Sequence, residues 1–384
     1  MRRPRLLFVA TEDWFFASHF LPMLRAAREL DYDVAVIARE RHHRRIIEGA
    51  GAQLIALEAE RRSLDPRALF RQVRALKRLI EAYRPDILHC IALKPIALAG
   101  LAGKLAGVDR RVYALTGLGF LGASQGFVAS AARLAARLWL REAIDGPKVR
   151  FLFENPDDAL SLGLDPQDAA KVRIVGGAGV DPLILMPLPM PPAPPLKVAI
   201  VARMLWSKGV DLAVEAVRLA RAEGARVELT IHGAPDPSNP KAIPLETLQG
   251  WTRRPGVHWA GATRDVEAVW AAHHLCILPS RGGEGLPRTI LEAASCARPV
   301  LTTDVPGCRY FIRDGRDGLV VPPDDPAALA KALIMLAGAP SLAERMGASA
   351  RARLLDGFTE RDVMSGVKSL YRGLLAQPGT DVAA

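Results

Sequence analysis

Two acids and two cations carry the chemical content of this sequence. In Pro279-Ser-Arg-Gly-Gly-Glu284-Gly285-Leu286-Pro287-Arg288-Thr-Ile-Leu-Glu292, an apolar run ends and a helical pattern opens, with Pro287 suited to a first helical position. Glu284 falls in the loop, and Glu292 falls among Ile290, Leu291, Ala293 and Ala294. A carboxylate in so apolar a helix needs partners. One acceptor at a helix mouth and one deeper suit a hydroxyl-rich ligand, and the N–H groups of the loop and helix start suit phosphate. The spacing equally suits a loop acid and a helix acid paired with a nearby Arg. A second strand-to-helix segment reads Val201-Ala-Arg203-Met-Leu-Trp-Ser-Lys208-Gly209, with Ser207 or Gly209 near the N-cap. Two fixed cations beside a helix N-terminus make a site for a dianion such as a leaving diphosphate. They also read as two ordinary surface cations.

The elements that must position these residues form a βα rhythm. Apolar runs at Leu6–Ala10, Asp33–Ala38, Ile87–Cys90 and Arg111–Leu115 alternate with helical patterns at Phe20–Leu30 and Pro66–Tyr83. A second series follows: strands Lys197–Val201, Val227–His232, Leu275–Leu278 and Pro299–Thr302, with helices Val210–Ala222, Val266–Ala272 and Pro287–Ala297. Between them Pro182, Pro187, Pro189, Pro191, Pro192, Pro194 and Pro195 crowd together, which fits neither helix nor central strand and reads as a stiff linker over about 182–195. The expected architecture is α/β: two Rossmann-like, doubly wound parallel-sheet domains facing a cleft, over 1–185 and 196–384. A last helix over about 360–376 is expected to pack back on the first domain.

Composition supports this. The 384 residues are 50% hydrophobic and 24% charged, enough for two cores and against global disorder. Every long apolar stretch meets a charge within about 20 residues, so no spanning helix is expected. The run Leu6–Ala10 stops at Glu12 and Asp13, so no signal peptide is expected either. Cys90, Cys276, Cys296 and Cys308 form no CxxC pair and read as reduced packing residues, and the eight His show no metal-ligand spacing.

Taken together, and in order, the motifs resemble the retaining glycosyltransferases of family four, which have the GT-B fold. They are Arg203…Lys208-Gly209, Gly283-Glu284-Gly285-Leu286-Pro287-Arg288, Leu291-Glu292-Ala293, Thr303-Asp-Val-Pro-Gly307-Cys-Arg309 and Asp317-Gly-Leu-Val-Val-Pro-Pro. In the first half, Lys94-Pro95, Leu115-Thr-Gly-Leu-Gly-Phe120, Phe153-Glu-Asn155-Pro-Asp-Asp158 and Gly179-Val-Asp181 look like the branch that builds capsule, O-antigen and exopolysaccharide repeats. The resemblance covers nearly the whole chain. It implies that Arg203 and Lys208, with Gly209, hold the diphosphate of a nucleotide-sugar, UDP-linked by preference. Glu292 would bind the ribose hydroxyls, and Glu284, with Gly285, Leu286 and Arg288, would meet the donor sugar. Thr263 and Arg264 would border the base pocket. It implies metal-independent transfer without a cofactor. In this scheme Arg203, Lys208 and Glu284 are the catalytic candidates.

On the acceptor side the chain departs from the family. The loop after the first strand lacks a Gly-Gly pair and reads Thr11-Glu-Asp-Trp-Phe-Phe-Ala-Ser18-His19, and Thr116-Gly117 stand where others carry a His. Ser18, His19, Lys94, Thr116 and Gly117 are the candidates, His19 reading as structural before catalytic.

The charge is uneven. Residues 1–150 hold 26 Lys and Arg against 15 Asp and Glu, a net +11, within a total of +10. Either a solvated surface or attraction to an anionic membrane or phosphate-bearing substrate explains it. No aromatic-interleaved basic segment argues for nucleic acid. Arg61, Arg62, Arg67, Arg71, Arg74, Lys77 and Arg78, in or beside Pro66–Tyr83, suit a polyprenyl-diphosphate-linked saccharide. The stretch Phe127–Ile144 is amphipathic, fit to lie on a bilayer or to pack inside the domain. The expectation is a cytoplasmic enzyme, peripheral at the inner face of the cytoplasmic membrane. The competing readings are a GT-B nucleotide-sugar epimerase and a non-catalytic nucleotide-sugar-binding protein.

Overall fold

The computed structural model describes residues 2–57, 65–119, 127–236 and 239–376. The chain divides into two compact units. One comprises the chain up to Leu118, the stretch ending at Ala178 and the segment from Glu360 onward; the other runs from Gly179 to Thr359 and takes in Gly119.

The first unit is built on strands β1 (Arg5–Glu12), β2 (Asp33–Arg39), β3 (Ala52–Ala56), β4 (Ile87–Ile91), β5 (Arg111–Leu115), β6 (Val149–Phe153) and β7 (Val172–Ile174), in the order β3-β2-β1-β4-β5-β6-β7. Every neighbouring pair is parallel. Helices cover both faces, so β4 and β5 are buried at every position, and this is why they read in the sequence as unbroken apolar runs. The second unit repeats the plan with β8 (Leu196–Val201), β9 (Val227–His232), β10 (Val257–Gly261), β11 (Leu275–Leu278), β12 (Val300–Thr303) and β13 (Gly318–Val321), in the order β10-β9-β8-β11-β12-β13. Its pairs are also all parallel. In each sheet the order reverses beside the first strand, at β1/β4 and at β8/β11. Open α/β sheets bind ligands outside the carboxyl ends of the strands at such switch points.

Some local readings change. The segment after β1 is a helix, Asp13–His19, not a loop, so Ser18 and His19 lie on its last turn. Pro287 caps its helix, which begins at Arg288. The short outer strands β3, β7 and β13 carry too little pattern to stand out in the sequence. All four cysteines are buried free thiols.

The helix Glu360–Ala376 belongs to the first unit. Val363, Val367, Leu370, Tyr371 and Leu374 join that unit's core. Arg25 pairs with Glu360, and Lys368 sits 2.6 Å from Glu29. Beneath it, the buried His89 Nδ1 lies 2.7 Å from Tyr371 Oη, and burial pushes the imidazole down to about 3, so it stays neutral.

The Pro-rich stretch has no regular structure and is bolted to the second unit. Arg298, fully buried, donates to the carbonyls of Leu188 (2.9 Å), Pro189 (2.7 Å) and Trp270 (2.8 Å). His274 reaches Pro191 O at 3.0 Å, and Ser295 Oγ donates to Leu185 O at 2.5 Å. Prolines remove donors but leave carbonyls to be satisfied, and these side chains satisfy them. Among the described residues no single helix is long and apolar enough to cross a membrane.

Candidate functional site

β8 ends at Val201, and the chain passes through Arg203 into a short 3₁₀ turn, Trp206–Lys208. Gly209 turns it into the helix Val210–Ala222 with φ of +66°, a left-handed conformation natural only to glycine. Space enforces the same choice: a Cβ at Gly209 would lie 1.9 Å from Pro279 O. The approach matters because Pro279 opens the loop after β11. β11 pairs with β8 although β9 and β10 intervene in the chain.

The two loops are fastened by backbone and side chain. Arg281 N–H donates to Ser207 O at 2.8 Å. The Arg281 guanidinium forks onto Asp211 through two 2.8 Å bonds and reaches Asp324 at 2.6 Å. Such bidentate pairs fix geometry as well as adding energy. The outcome is that Lys208 Nζ stands 2.7 Å from each carboxylate oxygen of Glu284, and the fully buried Ser280 donates to Glu284 Oε1 at 2.7 Å. Lys208 is 16% exposed and Glu284 11%, so the pair is shielded yet open to a ligand.

Glu292 is only 8% exposed on the helix that follows this loop, Arg288–Ser295, with Arg288 Nε 2.9 Å away. Burial raises its pKa and Arg288 works the other way. Gly285 and Leu286 are buried in the same loop. The N-terminus of helix Pro306–Phe311 presses on this loop so closely that a Cβ on Gly307 would lie 1.8 Å from Gly285 O. Arg203 is exposed on the β8 loop. Thr263 and Arg264 follow β10, two strands from β8. Arg264 is exposed, and the Thr263 hydroxyl accepts from Asp265 N–H at 3.1 Å within its own turn.

Gly233, which the sequence reading passed over, belongs beside these. It follows β9, and a Cβ there would lie 2.0 Å from Ala202 O in the β8 loop. Trp259 Nε1 donates to its carbonyl at 2.9 Å. A glycine directly after the apolar run Val227–His232 was the available signal.

In the first unit, Ser18 Oγ donates to Phe15 O (3.1 Å) and lies 2.6 Å from His19 Nδ1, so the two form a local pair. Lys94 stands on the first turn of helix Leu93–Leu105, after β4, and Thr116 and Gly117 follow β5. Glu12 and Asp13, also passed over, are buried at the end of β1. Asp13 accepts the N–H groups of Arg41 (2.7 Å) and His43 (3.0 Å), and Arg39 lies 3.4 Å from Glu12. Among the described residues no group of three or more His, Cys, Asp or Glu could hold a metal ion.

Two parallel α/β units, the second with an acid–cation constellation at its switch point, define a glycosyltransferase of the GT-B fold. The chain is a glycosyltransferase: residues 195–338 match the family model described as Glycosyl transferases group 1, and residues 5–144 match the one described as Glycosyl transferase 4-like. Similar curated proteins include the N,N'-diacetylbacillosaminyl-diphospho-undecaprenol alpha-1,3-N-acetylgalactosaminyltransferase of Campylobacter jejuni, 25% identical over 78% of this chain and 81% of the relative. Another is the capsular polysaccharide biosynthesis glycosyltransferase CapM of Staphylococcus aureus, 24% identical over 46% of each chain. Among solved structures, a glycosyltransferase from Rickettsia africae aligns with a TM-score of 0.77 at 16% identity, covering 98% of this chain and all of that one. Anabaena Alr3699/HepE in complex with UDP-glucose aligns at 0.75 and 14% identity, over 96% of this chain and 99% of that one. These structural likenesses carry the fold. Two of the curated relatives are named for cell-surface polysaccharides, CapM for capsular polysaccharide biosynthesis and WcaL of Escherichia coli for colanic acid biosynthesis.

Proposed function

We propose that this chain is a retaining, metal-independent hexosyltransferase that needs no cofactor. It moves a sugar from a nucleotide-sugar, UDP-linked by preference, to a polyprenyl-diphosphate-linked saccharide in capsule or exopolysaccharide assembly. The observation that carries the reading is the Lys208–Glu284 pair, with Nζ 2.7 Å from both oxygens, set beside the N-terminus of helix Val210–Ala222. As the bond from anomeric carbon to diphosphate breaks, negative charge gathers on the diphosphate. Lys208, Arg203 and the positive end of that helix stabilise it, and interactions that strengthen in the transition state are the ones that raise the rate. Glu284 keeps the ammonium aimed and takes a donor-sugar hydroxyl. Glu292, bent towards its neutral form by burial, takes the ribose hydroxyls. The acceptor hydroxyl attacks from the face the diphosphate leaves, which retains configuration.

The acceptor class rests on two supports. The Campylobacter relative is named for an undecaprenol-diphosphate-linked acceptor, and the first 150 residues carry the excess positive charge. Arg67, Arg71, Arg74 and Arg78 are exposed on helix Pro66–Tyr83, and Lys77 pairs with Glu81. Arg61 and Arg62 lie outside the described residues. Leu134 and Leu138 of helix Phe127–Leu138, with Trp139 beyond it, are exposed apolar groups among Arg133, Arg137 and Arg141. Such a surface suits the anionic inner face of the cytoplasmic membrane.

A thermal-shift panel of UDP-, GDP- and ADP-sugars, followed by transfer assays with lipid-diphosphate saccharides in EDTA, tests the reading. The expected result is stabilisation by one nucleotide class and, by NMR, a product with the donor's own anomeric configuration. Isomerisation of the donor without an acceptor, or donor binding without transfer to any such saccharide, overturns it.

A further inference from the structure

Beside the carboxyl ends of β1 and β2, under the start of helix Leu93–Leu105 that follows β4, lies a small recess of about 40 Å³. Its inner wall is apolar and buried, formed chiefly by Val9, Ile37 and Leu76. Its mouth carries half-buried polar groups: Arg39 from the end of β2, Gln72 from helix Pro66–Tyr83 and Lys94 from helix Leu93–Leu105. A small apolar recess with a few convergent polar groups at the carboxyl edge of such a sheet can seat one compact group of a ligand.

We propose that this recess is an acceptor-sugar specificity subsite that seats the acetamido group of an N-acetylated terminal sugar; it rests on the proposed transfer to a saccharide. An acetamido group is a methyl attached to one amide donor and one amide acceptor. The apolar wall takes the methyl, and Gln72, itself an amide with both a donor and an acceptor, matches the amide. Lys94 donates to a carbonyl or ring hydroxyl. The charges of the mouth argue for a neutral ligand: Arg39 is already 3.4 Å from Glu12, and buried Asp13 lies one residue further, leaving little net attraction for an isolated diphosphate. Paired acid and base groups do offer donors and acceptors to hydroxyls. A hexose without the acetamido group leaves the wall unfilled, and one such apolar group in a pocket is worth about 10–200-fold.

Saturation-transfer NMR on the full chain tests this, using the methyl glycosides of N-acetylglucosamine and N-acetylgalactosamine against those of glucose and galactose. The acetamido methyl is expected to receive the strongest saturation, with the plain hexosides bound at least about tenfold more weakly. Leu57 also lines the recess, and Leu57→Trp, which fills it, abolishes the signal, while Lys208→Ala, in the other unit, leaves it. Gln72→Leu keeps the apolar wall and removes only the amide, weakening the acetamido sugars about 2–10-fold. Equal binding of both sugar pairs, signals unchanged in both recess variants, or geranyl diphosphate seated there with no acetamido signal overturns the inference. Acetamido binding with no transfer to any lipid-linked saccharide overturns the proposed function and leaves the subsite standing. Transfer indifferent to the acetamido group does the reverse.

Discussion

Lys208 and Glu284, 76 positions apart in the chain, share a two-point ion pair with Ser280 as a third member. Without a donor each charge satisfies the other. In the proposed reaction the donor's diphosphate makes a second claim on the same ammonium, so the pair would open on one side while Ser280 keeps the carboxylate in place.

Lys208→Ala is therefore expected to lower kcat by about 100-fold or more, the usual cost of losing one fixed donor to a developing anion. It also leaves Glu284 unpaired beside the diphosphate, so adding Glu284→Gln should recover part of the loss. A double-mutant cycle on kcat/KM reads this coupling. Turnover within about twofold of the parent sinks the leaving-group role.

Gly209→Ala meets two obstacles, a φ of +66° and a backbone carbonyl 1.9 Å from the new Cβ. Left-handed backbone alone costs an alanine about 1–2 kcal/mol, and the collision forces the β8 and β11 loops apart. The expected result is a lower melting temperature with no further stabilisation by nucleotide-sugar. Donor-induced stabilisation equal to the parent's would count against the enforced approach.

Arg298→Met strips three carbonyls, at Leu188, Pro189 and Trp270, of their donors. The Trp270 bond is fully buried and its orphaned carbonyl costs about 1–3 kcal/mol, whereas the carbonyls of half-buried Leu188 and exposed Pro189 can turn in part to water. A loss of about 1–3 kcal/mol is expected in urea unfolding, and Arg298→Lys, a single ammonium in place of a planar fork, should recover only part. A midpoint unchanged within error would show that the Pro-rich stretch holds itself.

Asp158 gives the first unit a pH signature. Burial pushes its carboxyl up from 3.8 to about 7, against the hydrogen bond that Asn155 donates to it. Because the folded value exceeds the unfolded one, the native state holds this proton more tightly. The stabilisation is complete below about pH 4 and fades as the pH rises through 7. At about 1.4 kcal/mol per pH unit, it amounts to about 4 kcal/mol across that window. Melting curves at pH 5 and 8 should differ less in Asp158→Asn than in the parent, and an identical pH dependence in both refutes the assignment.

The sequence was most legible where burial is two-sided. Strands β1, β2, β4, β5, β8, β11 and β12 announce themselves as apolar runs because helices cover both faces of each sheet, while β9 shows as a strict alternation of buried and half-buried residues. The outer strands β3, β7 and β13 are short and partly exposed, so their patterns fade. The helix Asp13–His19 hid in the aromatic run Trp14-Phe15-Phe16, whose composition favours strand as readily as helix.

Residue types and local spacing alone determined two doubly wound sheets, the two loops that carry the acids and cations, and the glycine between a turn and a helix. These are properties of neighbours in the chain, set by periodicity, capping and backbone freedom. The partners were decided in three dimensions. β8 lies against β11, not between its sequence neighbours, because crossover helices set strand order, and only that order brings Pro279 onto Gly209 and Glu284 onto Lys208. The same holds for Arg298 reaching the Pro-rich stretch and for Gln72 and Lys94 meeting around one recess. Hydrogen bonds and apolar contacts act over a few ångströms, and which distant residues come that close is settled by packing the whole chain.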